Sequence, residues 1–306
     1  MLEIFDKYRT KEGMIDLDQI SNLTFVNMPL RGSRPKFWFS YLDALYLFKE
    51  EKNSLESVKE IINEELAIQF GLENASYDLA TYQGKKGVIS KDFIENREFI
   101  PFLFLLFKRP KISNDLATIC DILETDNLKR EQILKIAHSL FRNHLLDIFT
   151  TQRDRNVENQ GFIINEKNYF LAPRYDSAGS FLTIASLQKF TNFNNHPHKI
   201  QLLEKYKGYR TKFSLCPETV KLNAIDILLN LVYGIIPTNS FYLQEVLKSL
   251  DPEIQKIYLL NLKEIYQKLQ FYNIKLNIHF KKFMSCVIET KINEFEIKKE
   301  VIQRGL

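Results

Sequence analysis

A change of periodicity near residue 93 is the sequence feature that most constrains the fold. Before it lie short runs rich in aromatic and aliphatic residues, such as 36–40 and 44–49, which are typical of strands. After it, apolar residues recur at helical spacing, most clearly from Ile133 to Ile148. The sequence therefore predicts an α+β fold with a small β-rich N-lobe, residues 1–93, and a larger, mostly helical C-lobe, residues 94–306.

Three strands and one helix are predicted within the N-lobe. Residues 41–43 separate the two strand-like runs, a spacing that favours a β-hairpin. A helix is predicted over 54–70, because apolar residues line one face and Gly71 follows at a position that favours left-handed backbone. A turn over 82–87 and a strand at 88–90 complete the prediction for this lobe.

Composition excludes several classes of protein. The 306 residues carry 42 Lys+Arg and 38 Asp+Glu, a net charge of +4, whereas binding to a nucleic-acid backbone usually needs a larger basic surplus. Three distant cysteines without a Cys/His cluster argue against disulfides and zinc. The N-terminal sequence lacks the apolar core of a signal peptide, and the most apolar run, 99–107, is too short to cross a membrane. We expect a soluble, cytoplasmic protein that does not bind nucleic acid directly.

The polar loop after the long predicted helix contains the most informative residues. Asp154 and Asn159 stand in D-x-x-x-x-N spacing, in which the aspartate of a phosphoryl-transfer enzyme receives a proton and the asparagine binds Mg²⁺. Asp and Asn are also ordinary loop residues, so this spacing alone leaves a solvated loop as an alternative. Two short strands are predicted after the loop, at 161–164 and 169–171.

Further candidate residues lie on both sides of this loop. Asp176 follows the second short strand, where a second oxygen ligand for Mg²⁺ is expected, although an aspartate can also simply begin a turn. Lys49 ends a predicted strand and Glu60 lies on the next helix, as in the Lys–Glu ion pair of protein kinases. Alternatively, Glu60 forms a helix capping box with Ser57, and Lys49 is a solvated strand end.

Taken in order, these segments resemble the HipA-like family of Ser/Thr kinases, in particular its short members. The resemblance covers about residues 30–182 and is carried by six motifs: Gly32-x-x-x-Lys36, Leu45-Tyr-Leu-Phe-Lys49, Glu60 ahead of Gly71-Leu72, Gly87-Val-Ile-Ser-Lys-Asp-Phe93, D-R-x-x-x-N-x-G-F from Asp154 to Phe162, and L-A-P-x-Y-D from Leu171 to Asp176. The last two strings in succession are the most specific part of the match.

The resemblance implies a bilobal, protein-kinase-like fold and a role for each matched residue. It implies that the cofactors are ATP and Mg²⁺ and that the substrate is a protein. The implied roles are a catalytic base, Asp154; ligands of Mg²⁺, Asn159 and Asp176; a phosphate-binding lysine, Lys49, oriented by Glu60; a phosphate-covering loop, Gly32, Ser33 and Lys36; and an inter-lobe hinge that meets adenine, Lys91, Asp92 and Phe93. It also implies a small DNA-binding antitoxin as a partner in a toxin–antitoxin pair.

The sequence departs from the family pattern at several positions. Asn156 replaces the usual histidine, Gln160 replaces an aromatic residue, and Asp176 is followed by Ser-Ala-Gly instead of x-Gly. Pro29 stands where self-silencing members carry a phosphorylated serine. Two alternatives to an active protein kinase therefore stay open: a pseudokinase that acts as an ATP-binding regulatory module, and a phosphotransferase acting on small molecules.

Overall fold

The computed structural model describes residues 2–28, 34–52, 55–95, 97–107, 115–152, 154–166, 168–181, 215, 224–272 and 278–305. The chain divides into two compact units. The first comprises Met1–Arg97, Pro173–Ala178 and Asn261–Asn277, and the second comprises Glu98–Ala172, Gly179–Leu260 and Ile278–Leu306. The assignment of residues 1–93 and 94–306 to two functional lobes stays a prediction.

Strands predominate in the first part of the chain and helices in the second. The strands are β1 (Ile15–Asp16), β2 (Thr24–Val26), β3 (Lys36–Tyr41), β4 (Ala44–Glu50), β5 (Tyr77–Tyr82), β6 (Lys85–Lys91), β7 (Glu98–Pro101), β8 (Gly161–Asn165) and β9 (Asn168–Leu171). The α-helices are α1 (Glu56–Gln69), α2 (Phe102–Phe107), α3 (Leu116–Thr125), α4 (Arg130–Phe149), α5 (Ala224–Val232), α6 (Phe241–Leu247), α7 (Leu250–Tyr258), α8 (Leu262–Phe271) and α9 (Ile278–Gly305).

A six-stranded sheet in the order β1-β5-β6-β4-β3-β2 forms the first unit. Its adjacent strands β4 and β3 form the hairpin that the sequence predicts. The turn is shorter than predicted, because Tyr41 pairs with Ala44 and leaves only Leu42 and Asp43 between the strands. Both have positive φ, 47° and 61°, as a two-residue type I′ turn requires.

Aromatic side chains fill one face of this hairpin. Phe39 and Tyr46 are cross-strand partners and stack at 5.5 Å between ring centroids. Phe5, from a 3-10 helix at Glu3–Tyr8, packs against both rings and is fully buried. Since side chains alternate along a strand, the residues between these aromatics point to the opposite face, which includes Lys36 and Lys49.

Helix α1 confirms the predicted helix, but the capping box at its start does not form. The amide of Ser57 donates to Glu51 Oε1 at 3.3 Å, so Glu51 satisfies a donor in the first turn. Ile61, Ile62 and Leu66 are fully buried on its apolar face. Gly71 follows the helix with φ +71°, the left-handed backbone expected at this position.

The second unit contains the three-stranded sheet β7-β8-β9 and the long helix α4, which contacts β9. Strands β8 and β9 confirm the two short strands predicted after the polar loop. The apolar run 99–107 is divided between β7 and α2. Phe102 is fully buried, whereas Phe104 is largely exposed.

These elements confirm the predicted α+β fold class. In the part of the chain that the structure describes, helices are either too short or too polar to cross a membrane.

The buried His144 on helix α4 should make the free energy of unfolding depend on pH. Its side chain is buried, and burial lowers its pKa to about 4, although Asp147 opposes the shift. The unfolded chain binds this proton near pH 6.5, so between pH 6.5 and 4 the unfolded state holds more protons and the native state loses stability as pH falls. Denaturant titrations should show wild type losing about 2 kcal/mol more than His144→Gln between pH 7 and 4.5. Equal losses in the two proteins would contradict a neutral, buried imidazole.

Candidate active site

Two lysines face each other on the β3–β4 hairpin. Lys36 and Lys49 are direct cross-strand partners, so their side chains leave the same face of the sheet. Like charges in this arrangement repel each other. Burial and the charge of Lys49 together lower the pKa of Lys36. This pair concentrates positive charge at one end of the sheet face, an arrangement that suits an anionic ligand.

Lys49 also belongs to an ion-pair cluster within the first unit. Its Nζ lies 3.5 Å from Glu60 Oε1 and donates a hydrogen bond to Asp176. Burial of Lys49 lowers its pKa, but the charges of Glu60 and Asp176 outweigh that effect and leave the pKa raised. The interpretation of Lys49 as a solvated strand end is therefore wrong, because its side chain is only 17% exposed.

Glu60 connects helix α1 to the segment that carries Asp176. Its side chain is buried, and burial raises the pKa of its carboxyl group. One carboxylate oxygen, Oε2, accepts the amide of Ser177 at 2.8 Å, while Oε1 faces Lys49. The capping-box interpretation of Glu60 is wrong, since the amide of Ser57 is bonded to Glu51 instead.

Asp176 is held in an uncommon backbone conformation. Its φ is +53°, a left-handed region in which Asp and Asn are enriched but most residues are strained. Its amide donates to the hydroxyl of Tyr77 at 3.1 Å, and burial raises the pKa of this tyrosine well above its ordinary value. The carboxylate is 39% exposed, so it keeps access to solvent while its backbone is fixed.

In the second unit, the loop after α4 is organised around Asp154. The carbonyl oxygen of Asp154 accepts Asn159 Nδ2 and the amide of Asn156, both at 2.9 Å. Asn156 Oδ1 accepts the amides of Glu158 and Asn159. These contacts close the loop into a compact turn, with the Asp154 side chain exposed.

A buried ion pair anchors this loop to helix α4, and sequence reasoning missed it. Arg155 Nε donates to Asp147 Oδ2 at 3.0 Å, with the two side chains only 2% and 1% exposed. Arg155 Nη1 also donates to the carbonyl oxygen of Asn159 at 3.2 Å. The available sequence signal was Asp147 itself, a charged residue on the apolar face of a helix, between Leu146 and Ile148.

Gly179 makes a close approach to the same loop. A Cβ atom at this position would lie 2.7 Å from Gln152 Oε1 and 3.2 Å from Asp154 Cβ. Gln152 is fully buried, so its amide has little room to move away. Because Gly179 has no side chain, its backbone can lie close to Asp154. A larger residue at this position would push the two apart.

The predicted hinge residues lie at the end of β6 and in the turn after it. The amide of Asp92 donates to the carbonyl of Leu45 at 2.8 Å, and its carboxylate accepts the amides of Ile94 and Glu95. Lys91 pairs with Glu95. Phe93 contacts Tyr175, the residue before Asp176, with ring centroids 5.4 Å apart. The carboxylate of Asp92 is therefore hydrogen-bonded to backbone amides of its own turn.

The predicted site residues belong to different units, and two of them lie outside the residues that the structure describes. Lys36, Lys49, Glu60 and Asp176 belong to the first unit, and Asp154 and Asn159 belong to the second. Gly32 and Ser33 lie outside the described residues. Among the residues that are described, His, Cys, Asp and Glu form no metal-binding group of three or more.

The donors at the two predicted magnesium ligands fit that ion. Mg²⁺ prefers oxygen ligands and is usually bound by one or two protein groups, with water and phosphate completing its shell. Asp176 supplies a partly exposed carboxylate, and Asn159 supplies an amide oxygen. A site of this kind needs no larger cluster of carboxylates.

No protein-family model and no curated protein sequence matches the chain. Among solved structures, the Helicobacter pylori proinflammatory kinase CtkA matches 89% of this chain and 95% of its own, with a TM-score of 0.64 and 18% identity. HipA of the Shewanella oneidensis MR-1 toxin–antitoxin system, solved with HipB and operator DNA, matches 91% of this chain and 72% of its own, with a TM-score of 0.47 and 11% identity. The chain therefore has the kinase-like α+β fold of CtkA, as its sequence resemblance to the HipA-like kinases implies.

Proposed function

We propose that this protein is an ATP-dependent kinase that transfers the γ-phosphoryl group to serine or threonine hydroxyls of proteins. The observation that carries the proposal is the cluster of Lys49, Glu60 and Asp176, with Lys36 directly opposite Lys49. Glu60 and Asp176 already offset the charge of Lys49, and a polyphosphate ligand would supply negative charge beside Lys36 as well. The fold shared with CtkA supports this proposal.

In the proposed reaction, the oxygen of a substrate hydroxyl forms a bond to the γ-phosphorus of ATP while the bond from that phosphorus to the β,γ-bridging oxygen breaks. ADP leaves with the electron pair of the broken bond, and Asp154 accepts the hydroxyl proton. Lys49 and Lys36 bind phosphate oxygens, and Glu60 orients Lys49. Asn159 and Asp176 would hold Mg²⁺, which neutralises charge on the phosphates. Gly32 and Ser33 would cover the phosphates, and backbone at Lys91, Asp92 and Phe93 would meet adenine.

Nucleotide binding tests the lysine pair. Removing one phosphate-binding charge should weaken binding, so Lys36→Met and Lys49→Met should each raise the Kd for ATP with Mg²⁺ about 10- to 100-fold. Lys85→Met is the matched control, because Lys85 lies on β6 in the same sheet with a 60% exposed side chain. Calorimetric titration measures all four proteins. Equal affinities for wild type and both site variants would contradict a phosphate site at these lysines.

Phosphoryl transfer distinguishes the kinase from its alternatives. Incubation with γ-labelled ATP and a host proteome should label protein, either added substrates or the enzyme itself. Label confined to small molecules would instead support a metabolite phosphotransferase. Binding of ATP without any phosphoryl transfer would support a pseudokinase. In that case, the departures at Asn156 and Gln160 would belong to a catalytic loop that no longer supports transfer.

The partner follows from the sequence resemblance alone. We propose a small DNA-binding antitoxin that neutralises the kinase. Co-expression of the gene with its immediate neighbours, followed by co-purification, tests this: a stable complex with a small basic protein is expected, and purification of the kinase alone from every pair would contradict it.

A further inference from the structure

Three side chains of helix α1 hold the backbone that follows Asp176. Glu60 Oε2 accepts the amide of Ser177 at 2.8 Å, and Asn63 Nδ2 donates to the carbonyl of Ser177 at 3.2 Å. Lys59 Nζ donates to the carbonyl of Ala178 at 3.1 Å. Every one of these side chains is buried, with at most 3% exposure. One helix therefore binds three backbone polar groups of two consecutive residues, in the segment that carries the proposed magnesium ligand.

Lys59 is the unexpected member of this set. Burial lowers its pKa to about 8 even though Glu56 and Glu60 favour the charged form, while Arg34 opposes it. An ammonium group held in such a place costs folding free energy, and an apolar side chain of similar length would fill the volume at lower cost. Its hydrogen bond to Ala178 offsets part of that cost by satisfying a buried carbonyl group, and it also fixes where that carbonyl group lies.

The position of that hydrogen bond indicates what it contributes. Asp176 has φ +53°, and Ser177 and Ala178 separate it from Gly179. The backbone on its N-terminal side is fixed by Tyr77, through the amide of Asp176 itself. On its C-terminal side, the carbonyls of Ser177 and Ala178 are fixed by Asn63 and Lys59. These bonds fix the backbone from which the Asp176 side chain projects, while Lys49 contacts the carboxylate itself.

We propose that Lys59 is a positioning residue for the kinase reaction: through Ala178 it orients the Asp176 carboxylate for Mg²⁺ bound with ATP. This inference rests on the proposed function. It couples helix α1 to the metal site by a contact separate from the Lys49–Glu60 pair. Displacement of α1 would release the carboxylate as well as Lys49.

The test separates positioning from stability. Lys59→Met removes the charge but keeps the length of the side chain, and it should leave the Tm unchanged or higher. The Mg²⁺ concentration that half-saturates binding of a fluorescent ATP analogue should rise about tenfold. Lys59→Arg keeps a donor and should recover part of that affinity. Lys263→Met, an exposed lysine on α8, is the matched control and should behave as wild type.

Each result has a clear meaning. A wild-type Mg²⁺ dependence in Lys59→Met, whatever its Tm, would overturn the positioning role. If Lys59→Met does not fold, Lys59→Leu, which also lacks a donor, gives the same comparison. If wild type itself binds no ATP at any Mg²⁺ concentration, the proposed function falls, and this inference falls with it. A wild type that binds, beside a variant that binds identically, leaves the proposed function intact and overturns only the role of Lys59.

Discussion

Asp154→Asn should lower the rate of phosphoryl transfer about 10³-fold and leave the Kd for ATP with Mg²⁺ within about twofold of wild type. An asparagine has the same shape but does not accept the proton of the attacking hydroxyl. The loop should keep its conformation, because the carbonyl oxygen of Asp154, which the substitution retains, accepts Asn159 Nδ2 and the amide of Asn156. Initial rates with γ-labelled ATP measure transfer, and titration calorimetry measures binding.

Glu158→Gln is the matched control for this substitution. Glu158 is an exposed carboxylate in the same loop, four residues further along the chain, and nothing in the proposed reaction uses it. Its variant should transfer phosphate at the wild-type rate. Equal rates for Asp154→Asn and wild type would remove Asp154 from the role of base, and a large loss in Glu158→Gln would show that the assay responds to loop charge in general.

The residues of this loop illustrate what sequence can predict. Asp154 and Asn159 were predicted as base and magnesium ligand from their D-x-x-x-x-N spacing, which lets one short loop present both groups. The structure adds that Asn159 Nδ2 bonds back to the carbonyl of Asp154. Such a contact joins residues that are close in the sequence, so their spacing can predict it. The β3–β4 hairpin was predicted for the same reason, although Leu42 at positive φ gave no turn signal, since leucine rarely adopts that backbone.

Contacts between distant parts of the sequence could not be predicted in this way. Lys59 and Ala178 are separated by 119 residues, and a lysine on a helix normally indicates a solvated face. Only the packing of α1 against the segment at 173–178 shows that this lysine is buried. Strand β5 was missed as well, because Asp78 interrupts its apolar pattern. That carboxylate is fully buried and binds Arg9, a partner 69 residues away.

Asp147→Ala should destabilise the protein more than any other single substitution proposed above. It removes a carboxylate that pairs with a guanidinium group only 2% exposed, so the buried charge of Arg155 loses this contact with an opposite charge. Breaking a buried pair in this way typically costs about 3–5 kcal/mol, a large fraction of the stability of a domain. Denaturant unfolding followed by circular dichroism measures the loss. A change below about 1 kcal/mol would mean that water or another group compensates Arg155.

The double variant Asp147→Leu with Arg155→Met distinguishes the two contributions of this pair. Removing both charges leaves no buried guanidinium group that has lost the Asp147 carboxylate, so most of the lost stability should return. Activity should not return, because Arg155 also donates to the carbonyl of Asn159 at 3.2 Å and thereby anchors the loop that carries Asp154. We expect a folded protein with at least a tenfold lower rate of transfer. A double variant that recovers both stability and rate would show that the pair stabilises helix α4 and its loop without positioning the proposed base.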